Sequence, residues 1–140
     1  MRPNLVKQKF LAGEPIVNAW LSIPSSYAAE VVASQGFDSV TVDLQHGMMG
    51  FESALTMLQA VSITPATPLV RCPSLNPPEI MKLLDAGAYG VICPSIDTPR
   101  WRANSFLHAA IRTSGSARLV RRADCFMADL IISVALTTLS

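Results

Sequence analysis

Charge is scarce in this chain of 140 residues: 15% are Asp, Glu, Lys or Arg, 50% are apolar, and the formal net charge is +1. So large an apolar share excludes an intrinsically disordered segment, and the near-neutral balance singles out no polyanionic partner. Cysteine is limited to Cys72, Cys93 and Cys125, odd in number and far apart. They match no zinc or redox spacing, so reduced thiols in a cytoplasmic protein are expected. The stretch from Met1 to Phe10 lacks the apolar core of a signal peptide. No apolar run reaches membrane-spanning length, because Asp129 divides the best candidate, Phe126 to Leu139. There is no G-x-G-x-x-G after the first strand and no P-loop, which disfavours the nucleotide-binding parallel sheets.

What is present reads as one alternating α/β unit, since a chain of this length buries one core. A short leading helix around Leu5, Phe10 and Leu11 stops at Gly13. Ile16 to Leu21 forms a strand, and Ser25 or Ser26 caps a helix with Ala28, Val31 and Val32 on its apolar face, closed by Gly36. Val40 to Asp43 is the second strand. Phe51, Ala54, Leu55 and Leu58 follow helical spacing up to Thr64-Pro65, and Leu69 to Arg71 is the third strand. Asn76 with Glu79 resembles a capping box, Pro77 and Pro78 suit a helix entrance, and Ile80, Leu83 and Leu84 give the apolar face before Gly87. A fourth strand runs from Val91 to Cys93. A helix in every connection predicts parallel strands with right-handed crossovers, hence part of a (β/α)8 barrel, of which a complete example takes about 250 residues.

Two strand ends carry chemistry. Val40-Thr41-Val42 leads into Asp43-Leu44-Gln45-His46-Gly47, and Leu69-Val70 leads into Arg71. The carboxyl edge of a parallel sheet is where α/β folds bind ligands, so a carboxylate-anchored base facing a cation that holds an anionic substrate is one reading. Alone, Asp43 serves equally well as a turn cap and His46 as an ordinary core or surface histidine.

Composition breaks after Pro99. Residues 1–99 carry five Lys or Arg against eight Asp or Glu, and all ten prolines; residues 100–140 carry six Arg, no Lys and two Asp. A basic arm for nucleic acid would show such a shift. Here the arginines follow no helical or strand period and aromatic stacking residues are few, so nucleic acid is not expected as a partner. Residues 1–99 are read as the folded part, and 100–140 as an irregular tail that forms no domain.

Up to Pro99 the chain resembles the HpcH/HpaI aldolase/citrate lyase family, metal-dependent aldolases that make or cleave 4-hydroxy-2-oxo acids through a pyruvate enolate. The matching stretches run from Ala19 to Glu30, Val42 to Gly47, Pro68 to Arg71 and Ile80 to Pro94, in the family's order and spacing. The resemblance implies a β/α barrel, a 2-oxo acid and an aldehyde as small-molecule substrates, and a hexamer for an intact member. It implies His46 as general acid/base, Asp43 as its carboxylate neighbour, Arg71 as the group that binds the 2-oxo acid and steadies the enolate oxygen, and Asp85 as a support for the histidine across a subunit boundary. Magnesium or manganese is the expected cofactor. The family's Glu and Asp ligands have no counterpart here, and Asp97, Asp124 and Asp129 fall in no matching motif, so no residue is assigned to metal.

The tail carries a trace of what is missing. Back-translated from Asp97 with suitable synonymous codons and read one base out of frame after Pro99, it encodes the family's next segment, including ACRYP, GPxR and DYxxxAN features. A single-base deletion after the Pro99 codon is therefore expected, leaving an aldolase fragment without activity of its own. The alternative is a non-catalytic half-barrel whose basic tail serves as a binding or subunit-interaction module.

Overall fold

In the computed structural model, which describes residues 3–94, three of the four described helices begin where a side-chain cap or a proline starts them. Asn4 accepts a hydrogen bond from Lys7 N and opens α1, Leu5–Leu11. Gly13, at φ +70°, takes the left-handed turn that sends the chain on to β1, Asn18–Leu21. Ser25 caps α2, Ser26–Ala33, by accepting from Ala28 N. Then come β2, Ser39–Asp43; α3, Phe51–Ser62; β3, Thr67–Arg71; α4, Pro77–Asp85; and β4, Gly90–Ile92.

The four strands lie in the order β1-β2-β3-β4 and every pair is parallel. With right-handed crossovers in one direction of progression, α2, α3 and α4 all fall on one face. The register sorts the side chains by parity. Val42, Val70 and Val91 stand side by side toward the helices, and Asp43, Arg71 and Ile92 stand side by side on the opposite face. The core is the helix-facing layer: Val40, Val42, Val70 and Cys72 pack with Ala29, Ala33, Met57, Leu58, Ile80 and Leu83. The other face carries most of the strands' polar side chains, beside Leu69 and Ile92. Asn18 Oδ1 there accepts from Ser39 Oγ at 2.8 Å and Thr41 Oγ1 at 3.0 Å, so these buried hydroxyls keep their hydrogen bonds.

The expected parallel order and strand positions hold, while several details differ. β1 starts at Asn18 rather than Ile16, and β4 ends at Ile92, one residue before Cys93. The core face of α2 is Ala29 and Ala33, with Val31 exposed, because small side chains let α2 lie close against α3. In α3 the buried set is Ala54, Met57, Leu58 and Val61, with Phe51 at the rim. The capping box of α4 does not form: Asn76 is the N-cap but makes no side-chain bond. Pro78 at the second helical position removes one of the two N–H groups that an N-cap side chain can reach. The expected face of α4, Ile80, Leu83 and Leu84, is buried. The irregular tail, its boundary at Pro99, and Asp97, Asp124, Cys125 and Asp129 lie outside the described residues.

Candidate active site

Asp43 ends β2 on the polar face with its carboxylate almost wholly enclosed, at 1% exposure. Arg71, its register partner at the end of β3, grips it with two bonds, Nε to Oδ1 at 2.8 Å and Nη2 to Oδ2 at 2.6 Å. Trp20 Nε1 donates to Oδ2 at 3.1 Å, and the backbone N–H groups of Gln45 and His46 donate to Oδ1 at 3.0 and 3.2 Å. Burial by itself pushes this acid up. The Arg71 guanidinium, the Trp20 N–H and the backbone N–H groups of His46 and Gln45 outweigh burial and hold the carboxyl well below the usual carboxylate range. Asp43 is thus an anion at neutral pH with its lone pairs committed.

Arg71 is fixed from two sides. Its guanidinium lies 4.9 Å from the centre of the Trp20 ring while Asp43 holds the Nε–Nη2 edge. No described residue bonds Nη1, and the side chain keeps 19% exposure. A planar donor held on one edge and open on the other is suited to a carboxylate or another anion.

His46 sits in the turn that Asp43 ties down, exposed at the carboxyl edge. The carboxylate meets its backbone N–H and not its ring, so Asp43 orients the turn that carries the imidazole. Gly47 lets that turn close, because a Cβ there would collide with the Asp43 carbonyl oxygen. Asp43, His46 and Arg71 therefore share one edge. Asp85 does not join them: it is the last residue of α4, and in a βα unit a helix runs back to the amino edge of the sheet. Trp20 is the participant that sequence reasoning missed. Its signal was the parity of β1, which puts Trp20 beside Thr41 and on the face of Asp43.

The residues at this edge do not fit a divalent cation. Among the described residues no three His, Cys, Asp or Glu side chains converge, and both Asp43 oxygens already face donors that repel a metal. No helix of the described residues is long and apolar enough to cross a membrane.

Comparison with known proteins bears on the family and the fold. A family model for HpcH/HpaI aldolase/citrate lyase matches residues 17–129, running on past Pro99. The hydroxypyruvate/pyruvate aldolase of Rhizorhabdus wittichii is 40% identical over 95 residues, 68% of this chain and 38% of that protein. The 4-hydroxy-2-oxo-heptane-1,7-dioate aldolase of Klebsiella pneumoniae is 38% identical over 120 residues, 81% of this chain and 45% of that one. A crystal structure of an HpcH/HpaI aldolase/citrate lyase family protein from Burkholderia cenocepacia superposes with a TM-score of 0.74 at 30% identity, covering 85% of this chain and 48% of the other. The chain spans less than half the length of these relatives. Its parallel sheet is the opening part of a β/α barrel. On the family match, the sequence identities and the shared fold together, the chain belongs to the HpcH/HpaI aldolase/citrate lyase family.

Proposed function

We propose that this chain carries the anion-holding and proton-transfer half of a pyruvate-aldolase site, acting on 4-hydroxy-2-oxo acids, and that the 140-residue chain does not complete the reaction alone. The observation that carries this reading is the doubly bonded Asp43–Arg71 pair at the carboxyl edge, one guanidinium edge fixed and the other open. Arg71 receives the carboxylate and 2-oxo group of the substrate. His46 takes the proton of the C4 hydroxyl as the C3–C4 bond breaks, which releases the aldehyde and leaves pyruvate enolate. The fixed guanidinium favours the enolate oxygen over the neutral ketone, and the proton then returns to C3. Asp43 and Trp20 are positioning residues, since neither has a free polar atom to offer the substrate. Asp85, at the far edge of its own sheet, acts on the histidine of a neighbouring subunit in the intact hexamer.

The family's reaction uses magnesium or manganese, and the described residues do not hold one, so enolate stabilisation by Arg71 alone falls short of turnover. A single-base deletion after the codon of Pro99 accounts for the missing ligands. Sequencing the gene across that codon tests it: an intact frame through codon 140 in independent clones, with no family-like frame downstream, contradicts it. Binding is tested separately by titrating the chain with pyruvate. Saturable binding lost in Arg71→Met supports the site, and equal binding by that variant contradicts it.

A further inference from the structure

The reaction described above uses no thiol, yet two thiols lie directly behind Arg71. The register pairs Arg71 with Ile92, which sets Cys72 beside Cys93 on the helix-facing side of adjacent parallel strands. Cys72 N donates to Ile92 O at 3.1 Å, holding the two strand ends together. The two sulfurs are 3.4 Å apart, both reduced and both buried, Cys72 at 0% and Cys93 at 6% exposure. Neighbouring strands are about 4.8 Å apart, inside the span of roughly 4.4 to 6.8 Å between Cα atoms that a disulfide bridges. A bond of about 2.05 Å then needs small rotations of two side chains and no movement of the strands.

We propose that Cys72 and Cys93 form a modification site, a dithiol that a hydroperoxide oxidises to a disulfide stapling β3 to β4 behind Arg71. Cys93 is the sulfur that reacts first. It is the more accessible of the two, at the end of its strand, and its contact with the Cys72 thiol favours the thiolate, while the same contact and burial push Cys72 up and keep it protonated. The Cys93 thiolate attacks one peroxide oxygen, the O–O bond breaks and the other oxygen leaves as hydroxide, giving a sulfenic acid. The Cys72 sulfur then attacks Sγ of Cys93, the S–O bond breaks, and the Cys72 proton leaves with the oxygen as water. In sum, two thiols and one hydrogen peroxide give one disulfide and two waters. A cytoplasmic disulfide of this kind is transient and redox-sensing by default. It would pin the β3–β4 register at the residue next to Arg71, whether or not the aldolase reading holds.

The test uses the full chain with Cys125→Ser, reduced and then treated with hydrogen peroxide, followed by intact-mass measurement and peptide mapping. The expected result is the loss of two hydrogen masses, a cross-linked pair of peptides containing Cys72 and Cys93, and reversal by dithiothreitol. Closure in the native chain should be about tenfold or more faster than in the urea-unfolded chain, because the fold holds the sulfurs in near-contact. The proposal is overturned if both thiols remain open to alkylation after unfolding, if oxygen accumulates on either cysteine without a cross-link, or if closure is no faster native than unfolded. All three readouts use the unsubstituted Cys72–Cys93 pair, so none depends on whether a Cys93→Ser variant folds.

Discussion

Asp43 accepts five hydrogen bonds from two neighbouring strands and its own turn, which makes it the residue on which the site's geometry hangs. Asp43→Ala strands the Arg71 cation in a mostly buried place and is expected to cost about 3–5 kcal/mol in urea unfolding. Asp43→Ala with Arg71→Met should recover much of that loss. Because the folded-state acid is depressed below its unfolded value, its contribution is complete above about pH 4 and is lost as pH falls further, through the folded value. Acid titration of stability should therefore show Asp43→Asn less stable than the parent at neutral pH, with the gap narrowing only in strong acid. A gap that closed already between pH 7 and 5 would contradict the assignment. Trp20→Phe keeps a ring under Arg71 and removes the N–H donor, for an expected loss of about 1.5–3 kcal/mol. Asp43, His46 and Arg71 were legible in the sequence because polar residues end two apolar strands. Trp20 was not, since an aromatic in a strand reads first as packing.

The turn after β2 is the element that converts strand order into a site. Gly47→Ala forces its Cβ into the Asp43 carbonyl oxygen, and displacing the turn is expected to cost about 1–3 kcal/mol, as overpacking generally does. The same variant should weaken pyruvate binding less than Arg71→Met does, because Arg71 belongs to β3. Element existence and order were legible from apolar periodicity and the Gly and Pro punctuation. Faces were less so. The sequence of α2 suggests Val31 for the core, yet the close approach of α3 selects Ala29 and Ala33. Ala33→Leu tests this, with an expected loss of about 1–3 kcal/mol, whereas Val31→Ala should change stability by less than about 0.5 kcal/mol. The Cys72–Cys93 contact was invisible for a similar reason: their separation along the chain matches no motif, and only the β3–α4–β4 crossover brings them together.

At the scale of the whole molecule, the sheet supplies one polar edge of a barrel whose relatives are about twice as long. Family and fold were legible because the matching stretches sit on β1, β2, β3 and α4–β4, the elements that build that edge. The metal ligands were not, for no residue at the expected motifs supplies them. The most direct test of the fragment reading is pyruvate release from a 4-hydroxy-2-oxo acid with added manganese, measured on the 140-residue chain and on a version with the single base restored after the Pro99 codon. No turnover is expected from the first, and turnover from the second, abolished there by His46→Ala. Metal-dependent turnover by the purified 140-residue chain, lost on His46→Ala, would contradict that reading.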